Sequence, residues 1–409
     1  MHRMNVTIGG LIMGTLLTAG GYGPSSAAAP GPARLTRTAS HASAPDPTTH
    51  GYTLDQLRTA YNVTPLYALG YEGQGQTVAI VVPNIDGATI RQNLAQFSAL
   101  YHLPRAQMRF VHVRGPVPVH KSWDLEATLD ASMVHGFAPD AKIVFVEDTP
   151  AIAGFWYILN YDVSAIVSYS ASAPESVWSH SEMAAINHVL QLLALRGTTI
   201  LKGTGDWGAT DTGGPHPPYT VLPYRYNVNF PASSPWVTAL GGTQLTLRQD
   251  GAYVSERAWS LGGGGYSRIF KRPSWQVNPG IKPSETMRGI PDAACDASPQ
   301  TALRIAYNGY IGPIGGDSAC GPTWAAFIAL ANQVNGKPLG FINPKLYQIG
   351  RSRYYHLAFH DVTIGSNGYA ATPNWDPATG LGSPNVYNLV RALTVGFSHH
   401  IPPAHTAGR

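Results

Sequence analysis

The chain has 409 residues, 44% of them hydrophobic and 10% aromatic, which is enough to bury a large core and excludes a wholly disordered protein. Only 12% are charged, and the net charge of +4 comes from scattered Lys and Arg without a dense basic run, which argues against nucleic acid and anionic membranes as partners. Its 15 His would add up to 15 positive charges on acidification, so the chain becomes strongly cationic in acid.

The N-terminus reads as an export signal over residues 1–29: His2 and Arg3, the apolar "VTIGGLIMGTLLTAGG", then the small-residue run "SSAAAP" suited to cleavage near Ala29. Five Gly interrupt the apolar run, which falls short of the ~20 apolar residues of a spanning helix. Residues 30–50 are a low-complexity mixture of Pro, Ala, Ser, Thr and His and read as a disordered linker. A secreted, extracellular protein is expected.

From residue 51 to about 398, strand-like and helix-like segments alternate: "QTVAIVV" (77–83), a helix over 88–103, "RFVHV" (109–113), a helix over 123–137, "AKIVFVE", "SAIVSYS", the amphipathic "SEMAAINHVLQLLALRG" and "TTILKGTGD". Apolar strands separated by helices predict an α/β fold with a doubly wound, mostly parallel sheet covered by helices on both faces. Sites in such sheets form where strands run out into loops at their carboxyl ends. The second half is richer in Gly, Pro and aromatics, with a strand at "WVTALGGTQL" and a helix at "PTWAAFIALANQVNG". No internal repeat or second linker divides 51–398, so one large domain with a short tail at 399–409 is expected.

Four stretches could carry chemistry. "DLEATLD" places Glu126 and Asp130 four apart on one helix face, where like charges repel; Asp124 and His135 point elsewhere on the helix. A solvated acidic face is the ordinary explanation of such a pair. "GGDSACGPTW" delivers Ser318 from a Gly-rich turn to the start of an apolar helix, as a nucleophile or as a simple helix cap. "KGTGDWG" ends a strand in a Gly-rich turn at Asp206, and Asp in such turns often bonds only its own backbone. In the fourth, "DVTIGSNGYAATPNWDPATGLGSPN", Asp361 and Asp376 stand among turn residues with many carbonyls, a donor set suited to calcium or to a polar loop without metal. Cys295 and Cys320 are either one disulfide or two buried thiols, with no CxxC or Cys/His cluster to suggest zinc.

Taken together and in this order, these stretches resemble the sedolisin family of serine-carboxyl peptidases, a branch of the subtilisin-like fold. The likeness extends over residues 51–398, with "YTLDQLRTAYNVTPLYALGYEGQGQTVAIV", "FPASSPWVTALGGTQL" and "RGIPDAACDASP" as further matching segments. The resemblance implies a serine-type endopeptidase acting on protein or peptide substrates. In it Glu126 is general base, Asp130 its partner, Asp206 the oxyanion-stabilising carboxyl and Ser318 the nucleophile. It also implies one structural calcium ion held by Asp361, Asp376 and the carbonyls of Val362, Thr372 and Asn374. A monomer is expected.

A carboxylate accepts a serine proton only if its pKa is raised, which burial and a second close carboxyl both do, and an oxyanion partner must itself be protonated. An acidic pH optimum follows. The sequence departs from the family pattern at Asp317, where Thr is usual, and at Thr372 and Asn374, where Gly is usual. About twenty linker residues in place of a large prodomain predict that zymogen control of the usual sort is absent. A subtilisin-type His base would have to be His135, outside the expected sequence context. A retaining glycosidase would leave Ser318 and Asp206 without roles, and a catalytically inactive binding protein on the same scaffold is the main alternative.

Overall fold

A computed structural model describes residues 51–115, 121–148, 151–171, 173–211 and 226–404. The expected signal and linker, residues 1–50, lie outside the described residues, as does the tail beyond 404. Two short helices, α1 (Leu54–Ala60) and α2 (Thr64–Ala68), lead in, the first closed by a Thr53/Gln56 capping box. Then follow β1 (Thr77–Val82), α3 (Gly87–Tyr101), β2 (Gln107–His112), α4 (Asp124–Phe137), β3 (Lys142–Glu147), α5 (Ile152–Tyr161) and β4 (Ile166–Tyr169). A two-residue strand β5 (Ala173–Pro174) precedes α6 (His180–Leu195) and β6 (Thr199–Gly203). The second half contributes β7 (Asn229–Phe230), β8 (Thr238–Leu247), β9 (Tyr253–Ala258), β10 (Gly265–Lys271), β11 (Met287–Ile290), β12 (Ala293–Asp296) and α7 (Cys320–Asn335).

The central sheet has the order β12-β8-β6-β4-β1-β3-β2, all parallel, with β9 added antiparallel to β8. Alternation along β1 explains why both faces are covered: Val78, Ile80 and Val82 join the core built with α3, α4 and α7, whereas Ala79 and Val81 join the core built with α5 and α6. The expected doubly wound α/β fold is the observed one. Chain order reverses at β1, which has β3 on one side and β4 on the other, and this opens a crevice beyond the carboxyl ends of the strands. Among the described residues no helix is long and apolar enough to cross a membrane.

Candidate active site

Helix α4 is built from Ala, Leu, Met and Val, so it packs on several sides at once: against α3, α7 and β1. Every residue from Glu126 to Phe137 is buried. The acid pair is therefore not a solvated face, since Glu126 is 6% and Asp130 0% exposed. The Ser170 hydroxyl donates to Asp130 Oδ1 at 2.8 Å, and the Ser318 and Ser170 hydroxyls face the Glu126 carboxyl. Glu126 Oε1 and Asp130 Oδ2 are buried without a hydrogen-bond partner. His135 points away, as its helix position requires: Nε2 lies 3.0 Å from Ser98 Oγ and 3.0 Å from the Pro104 carbonyl.

Asp206 stands three residues beyond the end of β6, in a turn that Gly205 makes possible by adopting a φ of +104°. Its Oδ1 accepts the Asp317 backbone N–H at 2.6 Å. Ser318 lies in a single 3-10 turn, Asp317–Ala319, immediately before α7. Gly316 leads into that turn with a φ of +134°, and a Cβ there would sit 2.9 Å from Asp206 Oδ2 and 3.3 Å from Ser318 Oγ. The serine hydroxyl and the free carboxyl oxygen of Asp206 thus flank the same bare backbone position. Cys295 on β12 and Cys320 at the head of α7 form a disulfide with Cα atoms 5.6 Å apart, tying the sheet to the turn two residues past Ser318.

Asp317 does not crowd the serine. Its carboxyl turns inward, where Oδ2 accepts the Thr204 hydroxyl at 2.7 Å and the Gly263 N–H at 3.0 Å. Gly263 belongs to "LGGGGYS" (261–267), which packs closely on the turn after β6: a Cβ on Gly263 would lie 2.1 Å from the Thr204 carbonyl.

Burial governs the electrostatics. It pushes Glu126 up to about 7, with the nearby Asp206 charge adding to the rise and the Ser318 and Ser170 hydroxyls opposing it. Asp130 is raised well above the usual carboxylate range by burial and then by Glu126. Burial also lifts Asp206, to about 6, against the pull of the Asp317 N–H and Lys202. His135 moves the other way, down to about 4, because burial disfavours its cation.

No protein-family model matches the chain. It is 37% identical over 361 residues to kumamolisin from Bacillus sp. (strain MN-32), covering 81% of this chain and 62% of that protein. It is 32% identical over 229 residues to sedolisin from Pseudomonas sp. (strain 101), covering 52% of this chain and 38% of that one. Human tripeptidyl-peptidase 1 is 31% identical over 270 residues, 58% of this chain and 45% of its own length. The solved Pseudomonas sedolisin, a serine-carboxyl proteinase complexed with two molecules of pseudo-iodotyrostatin, superposes with a TM-score of 0.75 at 25% identity, over 83% of this chain and 97% of that one. The chain belongs to the sedolisin family.

Within this sedolisin-family chain, the loop 361–376 assembles oxygen donors. Asp361 Oδ2 accepts the Asn374 N–H at 3.0 Å and Asp376 Oδ2 accepts the Thr372 N–H at 3.0 Å. Both carboxylates act on the Tyr355 hydroxyl, so they face a common region. Among the described residues, no N–H or hydroxyl donates to the carbonyls of Val362, Thr372 or Asn374. The described residues contain no group of three or more His, Cys, Asp or Glu side chains placed to hold a metal. An all-oxygen set of two carboxylates and three unbonded carbonyls fits a hard cation.

Sequence reasoning missed Ser170, Thr204, Gly263 and Lys202. Ser170 carries no signal in the sequence, and Gly263 only that of a Gly-rich run, which does not name its partner. Lys202 carries one: a lone Lys inside "TTILKG", an otherwise apolar strand pattern, must be buried and needs partners.

Proposed function

We propose that this chain is a secreted serine-carboxyl endopeptidase that hydrolyses peptide bonds in protein or peptide substrates at mildly acidic pH, with residues 51–398 as its peptidase domain and 1–29 as a signal removed on export. The matched stretch covers 62% of kumamolisin's length, and the activity is inferred from the site. What carries the reading is the convergence on Gly316 of Ser318 Oγ and Asp206 Oδ2, with Glu126 facing the serine.

The Ser318 hydroxyl attacks the scissile carbonyl carbon while Glu126 accepts its proton, and Asp130 holds the second proton of the pair in reserve. Negative charge moves to the carbonyl oxygen, where the protonated Asp206 carboxyl donates to it through Oδ2. Glu126 then returns the proton to the leaving amine, and the acyl-enzyme is hydrolysed by water activated by the same carboxylate. The base must be ionised and Asp206 protonated at once. With Glu126 near 7 and Asp206 near 6, that combination peaks between the two.

The inward turn of Asp317 supports this reading over an inactive binding protein, because the unusual acid leaves the serine unobstructed. One structural calcium ion is assigned to Asp361, Asp376 and the carbonyls of Val362, Thr372 and Asn374, where it would neutralise two acids and fasten the loop. Monomeric action on peptide substrates, without nucleic acid or membrane partners, completes the proposal. Digestion of an unfolded protein from about pH 3 to 8 tests it: wild type should cleave, and Ser318→Ala and Glu126→Gln should not. Cleavage that survives Ser318→Ala would remove the serine from the mechanism.

A further inference from the structure

Lys202 occupies the fourth position of β6 and is 1% exposed. An ammonium so deeply buried is costly unless its three donors and its charge are met. Its Nζ donates to the Gly203 carbonyl at 2.8 Å and to the Ser170 carbonyl at 3.2 Å, and lies 5.9 Å from the Tyr169 ring centre. Ser170 is the residue whose hydroxyl donates to Asp130 Oδ1. The lysine thus grips the backbone of the residue that orients the acid pair.

The charge around it is also one-sided. Among the described residues, the groups that face it are Glu126 and Asp130 from α4, Asp206 and Asp211 from the segment after β6, Asp317 from the turn before α7, and Tyr169 from β4. Lys202 is the cation that acts on Glu126, Asp130, Asp206 and Asp317 alike. We propose that Lys202 is a positioning residue of the reaction, the resident counter-charge of the carboxyl cluster, which fixes Ser170 against Asp130 and lets one carboxylate of the cluster stay ionised in a buried site.

This inference rests on the proposed peptidase reading, and its consequence is directional. A positive charge beside carboxyl groups favours their ionised forms, so it lets Glu126 act as a base at lower pH and also lets Asp206 lose its proton at lower pH. Both limbs of the pH profile are set lower than they would be without it.

The test is the pH dependence of kcat/KM for wild type and Lys202→Met, which keeps the stem and removes the charge. Both limbs should move upward by about one pH unit in the variant. A uniform fall in rate with an unmoved profile would overturn the inference while leaving the peptidase reading intact. A wild type that cleaves nothing would overturn both. Should Lys202→Met fail to fold, the wild type suffices: the solvent-protected lysine 15Nζ signal in NMR should be that of a charged ammonium at pH 6, and a neutral amine there would overturn the inference.

Discussion

The backbone N–H of Asp317 donates to Asp206 Oδ1 at 2.6 Å, so the residue that precedes the proposed nucleophile also holds the carboxyl proposed to receive the oxyanion. This leaves Oδ2 to carry the proton. Asp206→Asn keeps both an acceptor for the Asp317 N–H and a donor for the oxyanion, and that donor does not titrate. It should retain measurable activity and lose the alkaline limb of the profile. Asp206→Ala loses the donor and should lower kcat by about 10²–10³-fold. Equal losses in the two variants, measured at the pH optimum, would show that an amide rescues nothing and that hydrogen-bond donation alone is not what the carboxyl supplies.

Gly316 is the backbone position that the serine and the carboxyl share. Its φ of +134° is one that L side chains rarely adopt, and a methyl group would meet Asp206 Oδ2 at 2.9 Å and Ser318 Oγ at 3.3 Å. Gly316→Ala should therefore separate the two groups and lower kcat by about 100-fold or more, because displacements near 1 Å are costly to catalysis. Circular dichroism should report an intact fold. Wild-type kcat in the variant would mean that the two oxygens need not be neighbours.

Asp317 has a structural task in this chain. Its Oδ2 takes two donors, while Oδ1 is buried without a partner. Asp317→Asn preserves an acceptor for the Thr204 hydroxyl and the Gly263 N–H, and thermal unfolding should change little. Asp317→Ala removes that shared acceptor, leaving the Thr204 hydroxyl to the Gly263 and Leu240 carbonyls and the Gly263 N–H to the Gly205 carbonyl, and should cost about 1 kcal/mol. If the alanine variant melts with the wild type, the inward carboxyl is not holding the glycine loop.

What could be read from the chain and what could not follow the reach of the interactions involved. The 77–83, 88–103 and 123–137 segments lie close to the observed β1, α3 and α4, because periodicity and composition act within a single element. The antiparallel excursions β9, β10 and β11 went unread: β9 mixes polar and charged residues, β10 and β11 each carry a Gly, and all three gain partners only after folding. The same divide runs through the site. Glu126 and Asp130 are one turn apart and visible as a pair, whereas the Thr204 to Asp317 bond joins residues 113 positions apart. Burial of "DLEATLD" was equally hidden, since it depends on α3 and α7 closing over α4.

Stability should fall as the pH rises from about 6.5 to 8. Burial raises Glu126 and Asp211 to about 7 and Asp296 to about 8. Carboxyl groups with raised folded pKa values stay protonated in the fold after the unfolded chain has ionised, so the fold binds more protons and loses stability as pH climbs through those values. His135 and His360, lowered to about 4, have the opposite slope, but only below their unfolded value of 6.5. Lys202, brought down to about 8, opposes the trend only above that pH. The window between is governed by the acids. Scanning calorimetry in calcium-saturated buffer should give a lower Tm at pH 8 than at pH 6.5, and the reverse order would contradict the assigned burial of these acids.

The loop 361–376 offers a test that is independent of cleavage. Asp376 is 1% exposed, its carboxyl is pushed up to about 6 chiefly by burial, and its oxygens accept N–H bonds from Thr372, Ala378 and Thr379. A calcium ion bound there would stabilise the folded chain by mass action, since the unfolded loop has no assembled donor set. At 100 times Kd the gain is about 2.7 kcal/mol. Calcium should therefore raise Tm in a concentration-dependent way, a chelator should reverse the rise, and magnesium, which dehydrates reluctantly, should substitute poorly. Asp376→Asn should abolish the calcium response while Ser318→Ala leaves it untouched, because the two residues lie in separate parts of the fold. A wild-type Tm indifferent to both calcium and chelator would leave the loop as a hydrogen-bonded turn in which Asp376 caps its own backbone.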